Sequence, residues 1–187
     1  EAAKEIGIRA VMSSEAADLI EGYGESLDLN EKAFKELDGA ADGRIRVWFG
    51  AEWVPVCSEE FLIKTRELAD KYETGIHIHL NESKDEVELC KEKHGKGSAE
   101  YVNDLGVLGE DVVSAHSVWL SEKEQNIFAE KSVSVAHCPV SNLKLGNGIA
   151  SIPELIDKGV NVGLGPDGAP CNNTVNMFET MKFASLV

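Results

Sequence analysis

Three of the five histidines and one aspartate stand at the ends of short apolar, β-branched runs: His79, His116, His137 and Asp167. Imidazole and carboxylate groups from separate strands are the donors that a borderline ion such as zinc accepts, and an open position then holds a water of lowered pKa. His79 and Asp167 suit that role. His77 and His79 are two residues apart, so in a strand they face one side, with His79 nearer the C-terminal rim. Either both reach one ion, or His77 lies a layer deeper as an interior or supporting group. Glu82 follows His79 by three residues, where a carboxyl group donates or accepts a proton if burial raises its pKa; its plainer reading is a solvated glutamate. His116 could hydrogen-bond the metal-bound water or be structural. His137, in Ala-His-Cys-Pro, could simply orient the next turn, and Asp167, in Pro-Asp-Gly, could be a turn or cap aspartate. His94 is assigned no chemistry.

Such residues need elements that end beside one another. Apolar runs recur at Ile8 to Met12, Ile45 to Phe49, Ile76 to Leu80, Val112 to His116, Val133 to His137 and Val160 to Leu164. Helical periods fall between and after them, at Leu29 to Ala40, Glu59 to Tyr72, Asp85 to Lys93, Glu122 to Lys131, Ile152 to Lys158 and Val175 to Leu186. This alternation predicts right-handed βαβ units on a parallel sheet, whose functional side chains gather at the C-terminal strand ends. Ser58 and Ser121 read as helix caps, and Gly159 as a C-terminal glycine. The acidic stretches Asn81 to Glu92 and Glu122 to Glu130 read as solvated helical faces.

The 187 residues fall short of the roughly 250 of a complete eight-stranded α/β barrel. With 43% hydrophobic and 27% charged residues the composition is that of a globular protein. Its net charge of -15, with no concentrated basic patch, argues against nucleic acid and anionic lipid as partners. No apolar run approaches the ~20 residues of a membrane span. Cys57, Cys90, Cys138 and Cys171 form no CxxC pair, so reduced thiols and a cytoplasmic setting are expected. The missing initiator Met and the apolar C-terminal helix suggest a fragment. Gly163 to Gly168 formally fits GxGxxG, which keeps a dinucleotide-binding oxidoreductase domain as a competing reading. Against it, a carboxylate inside the loop would repel pyrophosphate, and too little sequence follows for the ribose-binding acid.

The stretch from Ile76 to Val187 resembles the amidohydrolase superfamily, in its branch of cytosine, guanine and adenosine-type deaminases and triazine chlorohydrolases. The resemblance rests on His79-Leu80-Asn81-Glu82, Ser114-Ala115-His116-Ser117-Val118-Trp119-Leu120, His137-Cys138-Pro139-Val140-Ser141-Asn142, and Leu164-Gly165-Pro166-Asp167-Gly168-Ala169 with Asn172-Asn173. It implies an incomplete (β/α)8 TIM-type barrel, strands three to eight with their helices, over residues 1–187, without the N-terminal strands and the β-sandwich. It also implies His79 and Asp167 as metal ligands, Asp167 taking a proton from the water, His116 contacting that water, and Glu82 as the acid that protonates the ring nitrogen. Glu52, His77, Trp119, His137 and Asn142 are weaker candidates for substrate contact or support. The cofactor implied is one divalent metal, zinc first and iron as the alternative.

The family's first-strand His-x-His is missing, because His116, His137 and Asp167 follow His77/His79 in the order expected for the fifth strand onward. The chain alone is therefore expected to bind metal poorly and not to turn over substrate. Pro166, Pro170-Cys171 and Glu52 stand where relatives commonly carry other residues. The expected activity of the complete protein is hydrolytic deamination of an amino-substituted purine or pyrimidine ring. Dechlorination of a triazine is the alternative, and a non-catalytic remnant serving as an interaction surface a third reading. The expected partner is a small heterocyclic substrate, with no nucleic acid or membrane, and unpaired sheet edges suggest association with a second copy.

Overall fold

The structure is a computed structural model that describes residues 1–22 and 26–187. The chain divides into two compact units, Glu1–Ile78 and His79–Val187. Its architecture is parallel α/β, with a two-stranded sheet and a five-stranded sheet in sequential strand order.

In the first unit, α1 (Ala2–Ile6) leads into β1 (Ala10–Met12), and α2 (Leu27–Leu37) starts at Ser26, whose hydroxyl accepts from Leu29 N–H. A one-turn segment, α3 (Ala40–Gly43), precedes β2 (Ile45–Val47) and β3 (Phe49–Trp53). The single strand expected from Ile45 to Phe49 is thus two strands. The break falls at Trp48, whose N–H turns to Met12 O (2.8 Å). β1 and β2 pair in parallel, Ala10 opposite Ile45 and Met12 opposite Val47, as a sheet of their own. After a 3-10 turn at Val54–Val56, α4 (Glu59–Lys71) is capped by Ser58, which accepts from Phe61 N–H. The strand β4 (Ile76–Leu80) carries the boundary between the units. Its alternation is strict: Ile76, Ile78 and Leu80 are fully buried, while His77 and His79 are half-buried on the opposite face.

The second unit runs α5 (Lys84–His94), α6 (Ser98–Asp104), β5 (Val112–His116), α7 (Glu122–Lys131), β6 (Ser134–His137), α8 (Pro139–Lys144), α9 (Ile152–Asp157), β7 (Val162–Leu164), α10 (Ala169–Asn172) and α11 (Met177–Ala184). β5 and β6 pair in parallel with Ala115 opposite Ala136, and β6 and β7 with His137 opposite Leu164. Since strand side chains alternate faces, a slip of one residue would turn His137 to the other side, and the register is therefore fixed by burial. Leu80, Val102, Val107, Val112, Phe128, Val133, Val135 and Leu155 form the core, each worth roughly 1.5–3 kcal/mol relative to exposure. Among the described residues no helix is long and apolar enough to cross a membrane.

The acidic stretches depart from expectation. Asn81 and Glu86 are fully buried and Glu124 nearly so. They are not part of a solvated face: their charges and amide are satisfied by buried hydrogen bonds described below.

Candidate active site

The strand ends that present the candidate residues share a backbone feature. Asn81, directly after β4, has φ +52°; His116, the last residue of β5, has φ +69°; Asp167, after β7, has φ +63°. Left-handed conformations are uncommon for residues other than glycine and persist where the surrounding structure over-determines them, often at functional sites. Here the surrounding bonds are visible. Ser117 N–H donates to Leu80 O (3.1 Å) and Trp119 N–H to Asn81 O (2.9 Å), tying the ends of β4 and β5 together.

Within the second unit these ends bring His79, Glu82, His116 and Asp167 into one neighbourhood. The rings of His79 and His116 stack with centroids 5.4 Å apart and planes 24° from parallel. Glu82, half-buried, has Oε1 3.7 Å from His116 Nε2 and accepts at the same oxygen from Asn147 Nδ2 (2.8 Å). His116 Nδ1 lies 2.9 Å from Asn142 Oδ1. An amide oxygen only accepts, so this contact puts an N–H on Nδ1 and turns Nε2 toward Glu82. The Asn142 amide nitrogen is buried without a partner among the described residues.

Asp167 is held at both oxygens: Ser141 Oγ donates to Oδ2 (2.5 Å) and Gly168 N–H to Oδ1 (2.6 Å). Burial pushes its carboxyl group up, but these two bonds and the fields of His116 and His79 outweigh it, and the group stays below its ordinary value. His137, buried at the end of β6, is pulled down to about 4 by burial first and by His116 second, and its Nδ1 has no partner among the described residues. It sits close to the other groups as a neutral ring. Burial, then the Asp167 charge, pushes the Cys138 thiol up to about 12, so it is a packed sulfur and not a nucleophile.

Not every candidate falls in this unit. His77 and Glu52 belong to the first, where His77 Nδ1 lies 3.2 Å from Ser13 Oγ and the Glu52 N–H donates to Ala16 O. Trp119 is exposed and its indole N–H donates to Asn147 O (2.5 Å), which places the loop carrying Asn147 over Glu82. Asn147 and Ser141 are contacts that the sequence reading missed. Ser141 lay inside a quoted motif without a role, and Asn147 sits in a loop without periodicity.

His79 and Asp167 are zinc-type donors in kind. Among the described residues, however, no group of three or more His, Cys, Asp or Glu side chains is arranged to hold an ion. A zinc site takes three or four protein ligands, so these two residues fit as part of a site and fall short in number. The GxGxxG-like loop, meanwhile, presents the Asp167 carboxylate and is followed by a helix of only four residues, which is no phosphate cradle.

The chain is 42% identical over 189 residues to the 5'-deoxyadenosine deaminase of Methanopyrus kandleri, and 43% identical over 188 residues to the 5-methylthioadenosine/S-adenosylhomocysteine deaminase of Thermococcus sibiricus. In both cases all of this chain is covered and 44% of the relative, so the chain spans less than half the length of these curated relatives. Among solved structures, the zinc-bound adenosine deaminase from Xanthomonas campestris superposes with a TM-score of 0.90 at 26% identity, over 98% of this chain and 42% of that one. The Amidohydrolase family profile matches residues 1–187: the chain belongs to the amidohydrolase family.

Proposed function

We propose that this chain forms strands three to eight of the barrel of a hydrolytic deaminase acting on adenosine-type nucleosides, with residues 1–187 as one partial catalytic domain. The observation that carries the reading is the convergence of Glu82, His116 and Asp167 in one unit, on a chain whose relatives at 42–43% identity are named for 5'-deoxyadenosine and 5-methylthioadenosine/S-adenosylhomocysteine.

Hydrolytic deamination adds water across an amino-bearing ring carbon, forms a C–O bond, breaks the exocyclic C–N bond and releases ammonia. The two water protons must end on the ring nitrogen and on the leaving amine. In this reading Glu82 takes one and hands it to the ring nitrogen, its carboxyl group oriented by Asn147. Asp167, kept as a carboxylate by Ser141 and Gly168, accepts the other from the water and passes it to the amine, which leaves as ammonia. His116, its ring held at Nδ1 by Asn142 with Nε2 turned to Glu82, orients the attacking water by a hydrogen bond. A divalent ion held by His79 and Asp167 together with further ligands, zinc first and iron as the alternative, would supply a water of lowered pKa when bound. We place the enzyme in the cytoplasm, with a small heterocycle as its partner.

The test is ammonia release by the intact, zinc-loaded protein carrying this segment, with 5'-deoxyadenosine, 5'-methylthioadenosine, S-adenosylhomocysteine, guanine and cytosine. Ammonia from the adenosine derivatives is expected, with Glu82→Gln slower by ~10²-fold or more. Silence across the panel, with chloride released from a chlorotriazine, would overturn the proposal.

A further inference from the structure

Two helices of the second unit open with Ser-x-x-Glu, Ser83 to Glu86 at α5 and Ser121 to Glu124 at α7. In a capping box the serine hydroxyl accepts from the glutamate N–H, and the glutamate carboxylate accepts from the serine N–H. The box at α7 is complete: Glu124 N–H donates to Ser121 Oγ (3.3 Å) and Ser121 N–H to Glu124 Oε2 (2.8 Å). At α5 only the first half is made, with Glu86 N–H on Ser83 Oγ (3.1 Å). The Glu86 carboxylate, fully buried, reaches past the cap and takes two successive N–H groups: Asn81 on Oε1 and Glu82 on Oε2, each at 2.8 Å.

The same turn is gripped from the other side. The Asn81 side-chain amide donates to Glu124 Oε1 and Trp119 O (3.2 Å each), and its oxygen accepts from Ala99 N–H (3.0 Å). Asn81 is the left-handed residue between His79 and Glu82, so its conformation decides where Glu82 emerges.

We propose that Glu86 is a positioning residue for Glu82: its buried carboxylate, by clamping the Asn81 and Glu82 amides, fixes the turn that aims the Glu82 side chain at His116. A purely structural capping carboxylate would bond the Ser83 N–H; this one bonds the two residues that link the strand end to the acid. The inference rests on the reading of Glu82 as the proton donor. Glu86 touches no reacting atom and acts only through that turn.

The experiment is a double-mutant cycle of Glu86→Gln and Glu82→Gln in the intact zinc-loaded enzyme, reading kcat and KM for 5'-deoxyadenosine, with Ser83→Ala as a control for helix capping. Glu86→Gln is expected to lower kcat by ~10–10²-fold, the scale of a ~1 Å misplacement, with KM changed less than about threefold. It is expected to slow the Glu82→Gln enzyme no further. Ser83→Ala, which weakens the same helix start, is expected to lower the melting temperature and leave kcat unchanged. Should Glu86→Gln not accumulate as folded protein, Glu86→Asp, which keeps the charge but cannot span both amides, is expected to give an intermediate kcat with the same non-additivity. Unchanged kcat in the Glu86 variant, or an equal loss in the presence and absence of Glu82, would overturn the proposal. Full activity of Glu82→Gln alone would instead remove the acid assignment, and this inference with it.

Discussion

Asp167 and His137 differ in how their protonation is set, and each difference is measurable. The Ser141 hydroxyl and the Gly168 amide each take one Asp167 oxygen, which keeps the carboxylate oriented and charged. Such supporting bonds to a ligating group typically contribute 10–100-fold to metal affinity. Ser141→Ala is therefore expected to weaken zinc binding by ~10-fold or more, read by chelator competition on the intact protein. For His137, the folded-state value of about 4 lies below the unfolded 6.5, so the unfolded chain binds the proton more tightly. Its contribution is present above about pH 6.5 and is lost as the pH falls toward 4, with a loss of about 2 kcal/mol after allowance for solvent screening. Urea midpoints of the metal-free chain between pH 7 and 4.5 should show this acid limb, and His137→Asn should flatten it.

At the scale of elements, two glycines are required by close approach and not by their own φ. A Cβ on Gly97 would meet Glu124 Oε1 at 2.3 Å, and one on Gly50, in β3, would meet the Ser14 carbonyl oxygen at 1.8 Å. Gly97→Ala must push Glu124 off the Ala99 N–H and the Asn81 amide, and is expected to cost about 2 kcal/mol; Gly50→Ala faces backbone and is expected to cost about 3 kcal/mol. Chemical denaturation of each variant checks the order. These elements were unequally legible in the sequence. Ile76–Leu80 and Glu122–Lys131 appear as read, because five alternating residues and a ten-residue helical period are long enough to declare themselves. The one- and two-turn helices α6, α8 and α10 carry too few residues for a period and emerge only with tertiary packing. His79, His116 and Asp167 could be picked out from their place at strand ends, whereas the Asn147 contact could not. The capping-box pattern at Ser121 to Glu124 is legible in the sequence, whereas the burial of Glu86 and Glu124 is not, because an alternating charge pattern reports exposure and is silent on buried N–H groups.

At the scale of the whole molecule, among the described residues the two zinc-type donors His79 and Asp167 are fewer than a stable site takes, and the relatives are more than twice as long. Calorimetric titration of this chain with zinc is expected to show weak binding; tight stoichiometric uptake would mean that other residues of the chain complete the site. The starts of α5 and α7 bear on ligand choice as well. A helix start ordinarily welcomes an anion, since its first N–H groups point outward with a partial positive charge. At α5 and α7 a serine hydroxyl already takes one of those groups and a buried glutamate carboxylate sits on the amides just before the helix, in a protein of net charge -15. A phosphate brought to these helix starts would meet carboxylates where other nucleotide-handling folds offer a cradle; on the proposed function, the intact enzyme is expected to release ammonia from adenosine and not from its 5'-monophosphate.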